Sequence, residues 1–244
     1  MEEFGFFDIV NLDLCHGLAK NPPGATETGN YEAIQHLLGW QLNSRSSWLL
    51  FLTTRIGENH CAEATRELLR KLVAGNEDSC PRFAEAVIEL CGSNLSTADS
   101  AQQTLVINLA GLLKWFGQLC ITQSGWRMET LVIDSYTVWG GSPLEDLFSV
   151  ALRFIPIASP VPDKVGLGKA IPKSDDECRI AIEVIEQIIK RRNVDEILRS
   201  DPELYESTVK EKAILLQAAG FDIGRYVTYV KDVLRLPEPE FSRP

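Results

Sequence analysis

The feature that most constrains the fold is an apolar run near the start of the chain, residues 6–14, which ends in an acid and a small-residue turn. Such a run is typical of a middle strand of a parallel sheet, buried on both faces. A second run of this kind covers residues 47–55, and the stretch between them, 31–42, is helical in character. The order strand, helix, strand predicts a parallel βαβ unit.

The rest of the first two thirds of the chain predicts three helices and a hairpin. The helices are expected at about 60–74, ending at Gly75-Asn76, at 81–91 after the helix-starting Pro81, and at about 99–119. Two β-prone runs, 126–138 and 147–157, flank Trp139-Gly140-Gly141-Ser142-Pro143. A turn-rich segment between two strand-like runs predicts a long antiparallel hairpin.

The composition changes after the hairpin. Residues 156–173 carry four prolines and two glycines, which indicates a linker or a wrapping loop. From Ser174 onward the chain becomes charged and helical, with helices expected at 175–192, 194–200, 202–219 and 222–235. We therefore predict three parts: an α/β domain over 1–158, a linker over 159–173, and a helical C-terminal module over 174–244.

The overall composition limits the classes of function. The 244 residues carry a net charge of −10 and are 45% hydrophobic, as expected for a globular protein with a full core. This charge does not support binding to nucleic acid, although a local basic patch such as Lys190-Arg191-Arg192 is compatible with it. The acidic start Met1-Glu2-Glu3 is unlike a signal peptide, and no membrane span is expected. We expect a cytoplasmic protein.

The cysteines and histidines do not predict a metal site. The pairs Cys15-His16 and His60-Cys61 lie 45 residues apart and lack the close spacing of zinc ligands. Reduced thiols in the core are the interpretation that a cytosolic protein favours. The six residues that this interpretation covers are Cys15, Cys61, Cys80, Cys91, Cys120 and Cys178.

The order strand, helix, strand, helices, hairpin resembles the C-terminal half of a class I S-adenosylmethionine-dependent methyltransferase. In that family the last two strands of the sheet form an antiparallel hairpin inserted beside the fifth strand. The resemblance covers about residues 4–158 and makes 6–14 the fourth strand and 47–55 the fifth. It implies a partial Rossmann-like sheet, a parallel pair plus an antiparallel hairpin, without the family's first three strands.

The closest local likeness is to tRNA guanine dimethyltransferases, whose fourth strand ends in Asp-Leu-Asp-Pro-Phe-Gly. The present chain has Asn11-Leu12-Asp13-Leu14-Cys15-His16-Gly17 at this place. The resemblance implies that Asp13 stands for the second acid, which orients the target amine, and that Asn11 replaces the first. These two residues are the catalytic candidates.

Further candidates leave the carboxyl ends of the two predicted strands, where open α/β sheets bind their ligands. They are Cys15, His16, Thr54, Arg55 and His60. The family holds its cofactor with a glycine-rich loop after its first strand, and no such loop precedes Asp13. The cofactor is therefore unknown, and S-adenosylmethionine is expected only if a partner or a missing segment completes the site.

Three hypotheses follow. The first is a methyltransferase-like subunit, non-catalytic alone, that pairs with itself or with a partner chain covering strand 6–14. The second is a methyltransferase that acts on a nucleic-acid base through a composite site. The third is an unrelated α/β interaction protein whose C-terminal helices bind a partner.

Overall fold

The computed structural model describes residues 5–14, 17, 30–57, 60–95, 100–122, 125–137, 147–157 and 177–232. These residues form an α/β structure with one mixed sheet of five strands in the order β1-β2-β4-β3-β5. The strands are β1 (Ile9–Leu14), β2 (Trp48–Arg55), β3 (Trp126–Tyr136), β4 (Leu147–Pro156) and β5 (Arg192–Asn193).

The parallel pair and the position of the hairpin are confirmed. β1 runs parallel to β2, with Ile9 opposite Leu49 and Leu14 opposite Thr54. β4 pairs antiparallel with the other edge of β2. β3 follows as the next hydrogen-bonded strand, and the amide of Ile157 donates to the carbonyl of Gly125, which brings the end of β4 to the start of β3.

The prediction that the first strand is buried on both faces is wrong for the single chain. Val10, Leu12 and Leu14 pack against the main core, whereas the residues that alternate with them are exposed. Because β1 ends the strand order, it has only β2 as a neighbour among the described strands. Its sequence is that of a central strand in the position of an edge strand.

Eight helices are described. They are α1 (Asn30–Gln41), α2 (Glu63–Ser79), α3 (Pro81–Cys91), α4 (Ala101–Thr122), α5 (Glu177–Ile189), α6 (Val194–Ser200), α7 (Pro202–Ala218) and α8 (Ile223–Asp232). The predicted end of the second helix at Gly75-Asn76 is wrong, since α2 continues through both residues. The side chain of Asn76 is buried, and its carbonyl oxygen accepts the amide of Cys80 at 2.8 Å, so the local signal for a helix end is overridden by packing.

Helix α4 is the centre of the first core. Its residues from Leu105 to Phe116 are buried almost without interruption, and α2 and α5 pack on it. A Cβ at Gly111 would lie 2.7 Å from the Cβ of Leu69, so the glycine permits the close approach of α2. α4 is long and apolar enough to span a membrane, but 72% of its most apolar window is buried inside the structure.

The expectation that all cysteines are reduced is wrong for one pair. Cys80, at the junction of α2 and α3, forms a disulfide with Cys178 in the first turn of α5, with the Cα atoms 5.8 Å apart. The two residues are 98 positions apart in sequence, and only the packing of α5 on α3 brings them together. Among the described cysteines, Cys61, Cys91 and Cys120 are free thiols.

The chain divides into two compact units. The first comprises residues 1–133 and 147–191, and the second comprises 134–146 and 192–244. Helix α5, predicted to open the C-terminal module, belongs to the first unit because Ile180, Val184 and Ile188 are buried in the first core. The boundary therefore falls after residue 191 and not at 173.

The second unit has a small core of its own. Tyr205 and Val209 of α7 pack with Val230 of α8. Asn193 and Asp201 cap α6 and α7 by accepting the amides of Glu196 and Leu204, at 3.1 and 2.9 Å. In this unit the end of β3 pairs in parallel with the two-residue strand β5, which the sequence did not predict.

Candidate functional site

The carboxyl ends of β1 and β2 lie side by side, as the parallel register requires. Asp13 is opposite Thr53, and Leu14 is opposite Thr54. Ligands of open α/β sheets bind beyond this end of the strands. The described candidates on these two strands therefore share one region of the molecule.

Asn11, Asp13 and Arg55 point to the face of the sheet opposite the main core. This follows from the alternation along each strand, because Leu12, Leu14, Leu52 and Thr54 occupy the core face. Asp13 begins a row on the outer face that continues through Thr53 to Ser149. We call Asp13, Thr53 and Ser149 the outer-face row.

The outer-face row is polar. The hydroxyl of Thr53 donates to the hydroxyl of Ser149 at 3.4 Å, and the carboxyl group of Asp13 lies on an exposed residue beside them. Directly opposite residues on neighbouring strands have their Cβ atoms about 5 Å apart. The row therefore places one carboxylate and two hydroxyls on this face of the sheet.

Thr54 is separated from the other candidates. It is fully buried on the core face of β2, and its hydroxyl donates to the carbonyl of Arg55 at 3.4 Å. A ligand on the outer face does not reach it. Thr54 is a strand residue of the core and not part of a loop.

Gly17 holds the two strand ends together. Its φ of 87° lies in the left-handed region, and a Cβ built on it would lie 2.8 Å from the carbonyl oxygen of Arg55 and 3.1 Å from that of His60. Only a glycine allows the chain after β1 to pass so close to the chain after β2. The glycine of the predicted motif therefore has a defined structural role.

His60 lies shortly after the end of β2, and its amide donates to the carbonyl of Gly57 at 2.9 Å. It is partly buried beside the backbone of Gly17. Cys15 and His16 lie outside the described residues. Within the described part of the chain, no group of three or more His, Cys, Asp and Glu side chains is close enough to hold a metal ion.

Asn108 bonds the backbone at the end of β2 from the core side of the sheet, and the sequence analysis did not predict this contact. It is completely buried in α4, and its Nδ2 donates to the carbonyl of Ile56 at 2.8 Å. Its Oδ1 is buried without a hydrogen-bond partner. An asparagine in the middle of an apolar helix was the sequence signal for this contact.

The β1 edge is the second notable feature; we use the name for strand β1 with the preceding Phe6 and Phe7. The carbonyl of Asp8 accepts the amide of Leu49 at 2.9 Å, so alternate residues from Asp8 onward bond to β2. The backbone groups of Ile9 and Asn11 therefore face outward. Phe6, Phe7 and Ile9 are 49%, 42% and 60% exposed.

The fold and this region define an α/β protein whose mixed sheet ends in an apolar parallel edge strand. A family model described as PP_RS20740-like matches residues 1–231, and the chain belongs to that family. The search of curated proteins found no match, and neither did the search of solved structures.

Proposed function

We propose that the chain is a methyltransferase-like subunit, non-catalytic alone, that acts by pairing its β1 edge with a second copy or with a partner chain. The observation that carries the proposal is the sheet order, in which the antiparallel hairpin lies beside β2 and β1 ends the sheet. The resemblance to the C-terminal half of class I methyltransferases predicts this arrangement. In the proposal, the strands beyond β1 come from another chain.

The composition of the β1 edge supports pairing. Exposed edge strands in stable monomers are usually blunted by lysine, proline or a covering element, because an open row of N–H and C=O groups recruits other strands. Strand β1, Ile9–Leu14, contains neither lysine nor proline, and its exposed Ile9 is preceded by two exposed phenylalanines. Such an edge is suited to burial against another chain.

A proline substitution tests this without breaking the β1–β2 pairing. The amide of Asn11 faces outward, so Asn11→Pro removes a donor only from the open edge. We expect light scattering to show an oligomer or complex for the wild type and a smaller species for Asn11→Pro. Asn11→Ala, the matched control, keeps the amide and is expected to keep the assembly.

Hydrogen exchange tests whether β1 itself lies in the interface of an assembly. In an assembly through β1, the amides of Ile9 and Asn11 are protected by the partner strand. A monodisperse monomer in which both amides exchange freely would refute the proposal.

A second candidate function is methyl transfer to a nucleic-acid base through a composite site. The position of Asp13, an exposed residue of the outer-face row, favours it, since a carboxylate can accept a hydrogen bond from a target amine. The cofactor S-adenosylmethionine would then be bound largely by the partner. The net charge of −10 disfavours binding to a duplex by this chain alone.

A thermal-shift titration with S-adenosylmethionine and S-adenosylhomocysteine separates the two functions. A ligand at about 100 times its Kd stabilises the protein by roughly 2.7 kcal/mol, which is easily measured. A shift of the assembly, together with loss of methyl transfer in Asp13→Asn, would favour the composite enzyme. If neither ligand shifts the assembly, the pairing subunit remains and the enzyme is excluded.

The third hypothesis, an unrelated interaction protein, requires assembly that survives Asn11→Pro and depends on the C-terminal helices.

A further inference from the structure

A cavity of about 740 Å³ opens between helices α1, α2 and α4 and the first residue of α5. Its apolar and aromatic surface comes from Leu68, Leu69, Leu72, Tyr31 and Trp115, and four exposed polar residues also line it, namely Glu32, Gln35, Lys71 and Ser79. The rings of Tyr31 and Trp115 meet edge to face with their centroids 5.3 Å apart. Volume and lining are those of sites that bind small organic molecules.

One buried charge lies in the wall of this cavity. The side chain of Lys114 is 4% exposed, and its ammonium group donates to the carbonyl of Leu72, to Oδ1 of Asn76 and to Oε1 of Glu177. An ammonium group has three protons, so its hydrogen bonds are complete. A buried cation of this kind requires a negative counter-charge in contact.

The counter-charge comes from the solvent side. Glu177 contacts Lys114 at 2.7 Å, yet its side chain is 50% exposed. It is the first residue of α5, where the partial positive charge of the helix terminus also favours an anion. The hydrogen bond from Lys114 lowers the pKa of Glu177, so this carboxyl group is ionised at neutral pH.

Two buried hydroxyl groups of the cavity have hydrogen-bonding capacity to spare. The hydroxyls of Tyr31 and Thr65 are buried next to each other, but neither makes a hydrogen bond of good geometry. Buried hydroxyls without good partners are uncommon and are often satisfied by a ligand or by water. The cavity thus combines apolar walls, two available hydroxyls and one anion position.

We propose that this cavity binds a small carboxylic acid with an aromatic or alkyl body, whose carboxylate replaces that of Glu177 at Lys114. The protein's own half-exposed carboxylate occupies the anion position in the free protein. The body of the ligand fills the apolar space beside Tyr31 and Trp115. Glu177 then turns to solvent, which its exposure and its place at the start of α5 allow.

A matched pair of probes isolates the charge. 1-Naphthylacetate and 1-naphthylacetamide have the same body and differ in the carboxylate. We expect naphthylacetate to bind the Glu177→Gln variant about tenfold more tightly than it binds the wild type, because the competing side-chain carboxylate is gone. The amide should bind both proteins equally. Calorimetric titration and thermal shift measure both affinities.

Lys114→Met provides the second variant. Methionine replaces the buried cation with an apolar side chain of similar length, and the carboxylate of Glu177 that loses its partner is half exposed and can be hydrated. We expect naphthylacetate to lose its advantage over the amide in this variant. This comparison with the wild type also decides the question if Glu177→Gln fails to fold.

The proposal is overturned if naphthylacetate binds Glu177→Gln no better than the wild type, or if the preference for the carboxylate survives Lys114→Met. The absence of binding of both probes to all three proteins also overturns it. In these cases Lys114 and Glu177 only join α4 to α5. The β1 edge is not involved, so the outcome is independent of the proposed pairing.

Discussion

Gln41 of α1 binds both backbone groups of Phe7 through its side-chain amide. Oε1 of Gln41 accepts the amide of Phe7 at 3.0 Å, and Nε2 donates to the carbonyl of Phe7 at 2.8 Å. Gln41 is itself completely buried. Phe7, two residues before β1, is thus paired by a side chain as if by another strand, whereas Ile9 and Asn11 further along have no such partner from α1.

Replacing Gln41 tests how much this contact contributes. We expect Gln41→Leu to lower the free energy of unfolding by about 1–3 kcal/mol, because two hydrogen bonds are lost and polar groups are left without partners. Urea denaturation measures the change. Gln35→Leu, at an exposed position of the same helix, is the control and should change stability by less than about 0.5 kcal/mol. Equal effects of both substitutions would contradict the assignment.

Gly17→Ala is expected to destabilise the first unit. The substitution introduces a side chain at a φ of 87° and 2.8 Å from the carbonyl of Arg55, which together should cost about 2–3 kcal/mol. Gly92 has a φ of 73° but no atom within 4 Å of its ideal Cβ, so Gly92→Ala carries only the backbone cost, about 1 kcal/mol. Thermal unfolding of the two variants should therefore differ. If Gly17→Ala lost no more stability than Gly92→Ala, the close approach of Gly17 to the carbonyl of Arg55 would not constrain the fold.

The thiol count tests the disulfide. The chain has six cysteines, and four of them lie outside the Cys80–Cys178 bond. We expect four to react with a thiol reagent in denaturant before reduction and six after it. In the native protein Cys61 should react slowly, because burial raises its pKa to about 11 and leaves almost no thiolate at neutral pH. Six reactive thiols before reduction would mean that the pair is not bonded in solution.

Acid should weaken the protein partly through Glu177. Since its pKa is lower in the folded state than its ordinary value of 4.5, the unfolded chain binds the proton more readily. The stabilisation is therefore complete above pH 4.5 and is lost as the pH falls through the folded pKa. We therefore expect stability to fall less steeply with decreasing pH below 4.5 in Glu177→Gln than in the wild type. The midpoint of urea denaturation, measured as a function of pH, gives this dependence.

Glu129 provides the comparison for this pH dependence. Burial would raise the pKa of Glu129, but the hydrogen bonds and charges of Arg153 and Arg127 lower it overall. Glu129→Gln should also make the fall of stability below pH 4.5 less steep, without changing the cavity that Glu177 borders. If neither substitution changed the loss of stability at acid pH, the attribution of that loss to these two carboxyl groups would be contradicted.

Local sequence signals predicted the strands and most helices because their physical causes are local. Pro81 begins α3 as predicted, and the alternation in β2 places Leu50 and Leu52 toward the core. The same alternation, applied one step further, puts Thr54 on the core face and Arg55 on the other. Thr54 and Arg55 were predicted to belong to one site, although neighbouring residues of a strand point to opposite faces of the sheet.

The features that were missed depend on contacts between distant parts of the chain. Asn76 remains helical because it is buried against Lys114, 38 residues away. The disulfide requires α5 to lie beside α3, and no spacing of cysteines predicts that. A lone lysine and a lone asparagine within the apolar helix α4 were visible in the sequence, but their partners, Glu177 and the carbonyl of Ile56, were not.

The pairing of β2 with β4 has a consequence for the order of folding. Trp48 and its partner Phe154 lie 106 residues apart, so the strand pair at the centre of the sheet cannot form until most of the first unit has left the ribosome. Helix α2 can pack on α3 and on α4 well before that. Contacts of long sequence separation form slowly, so the helical layer is expected to form before the sheet is complete. Strand β2 is then exposed on the side that later pairs with β4.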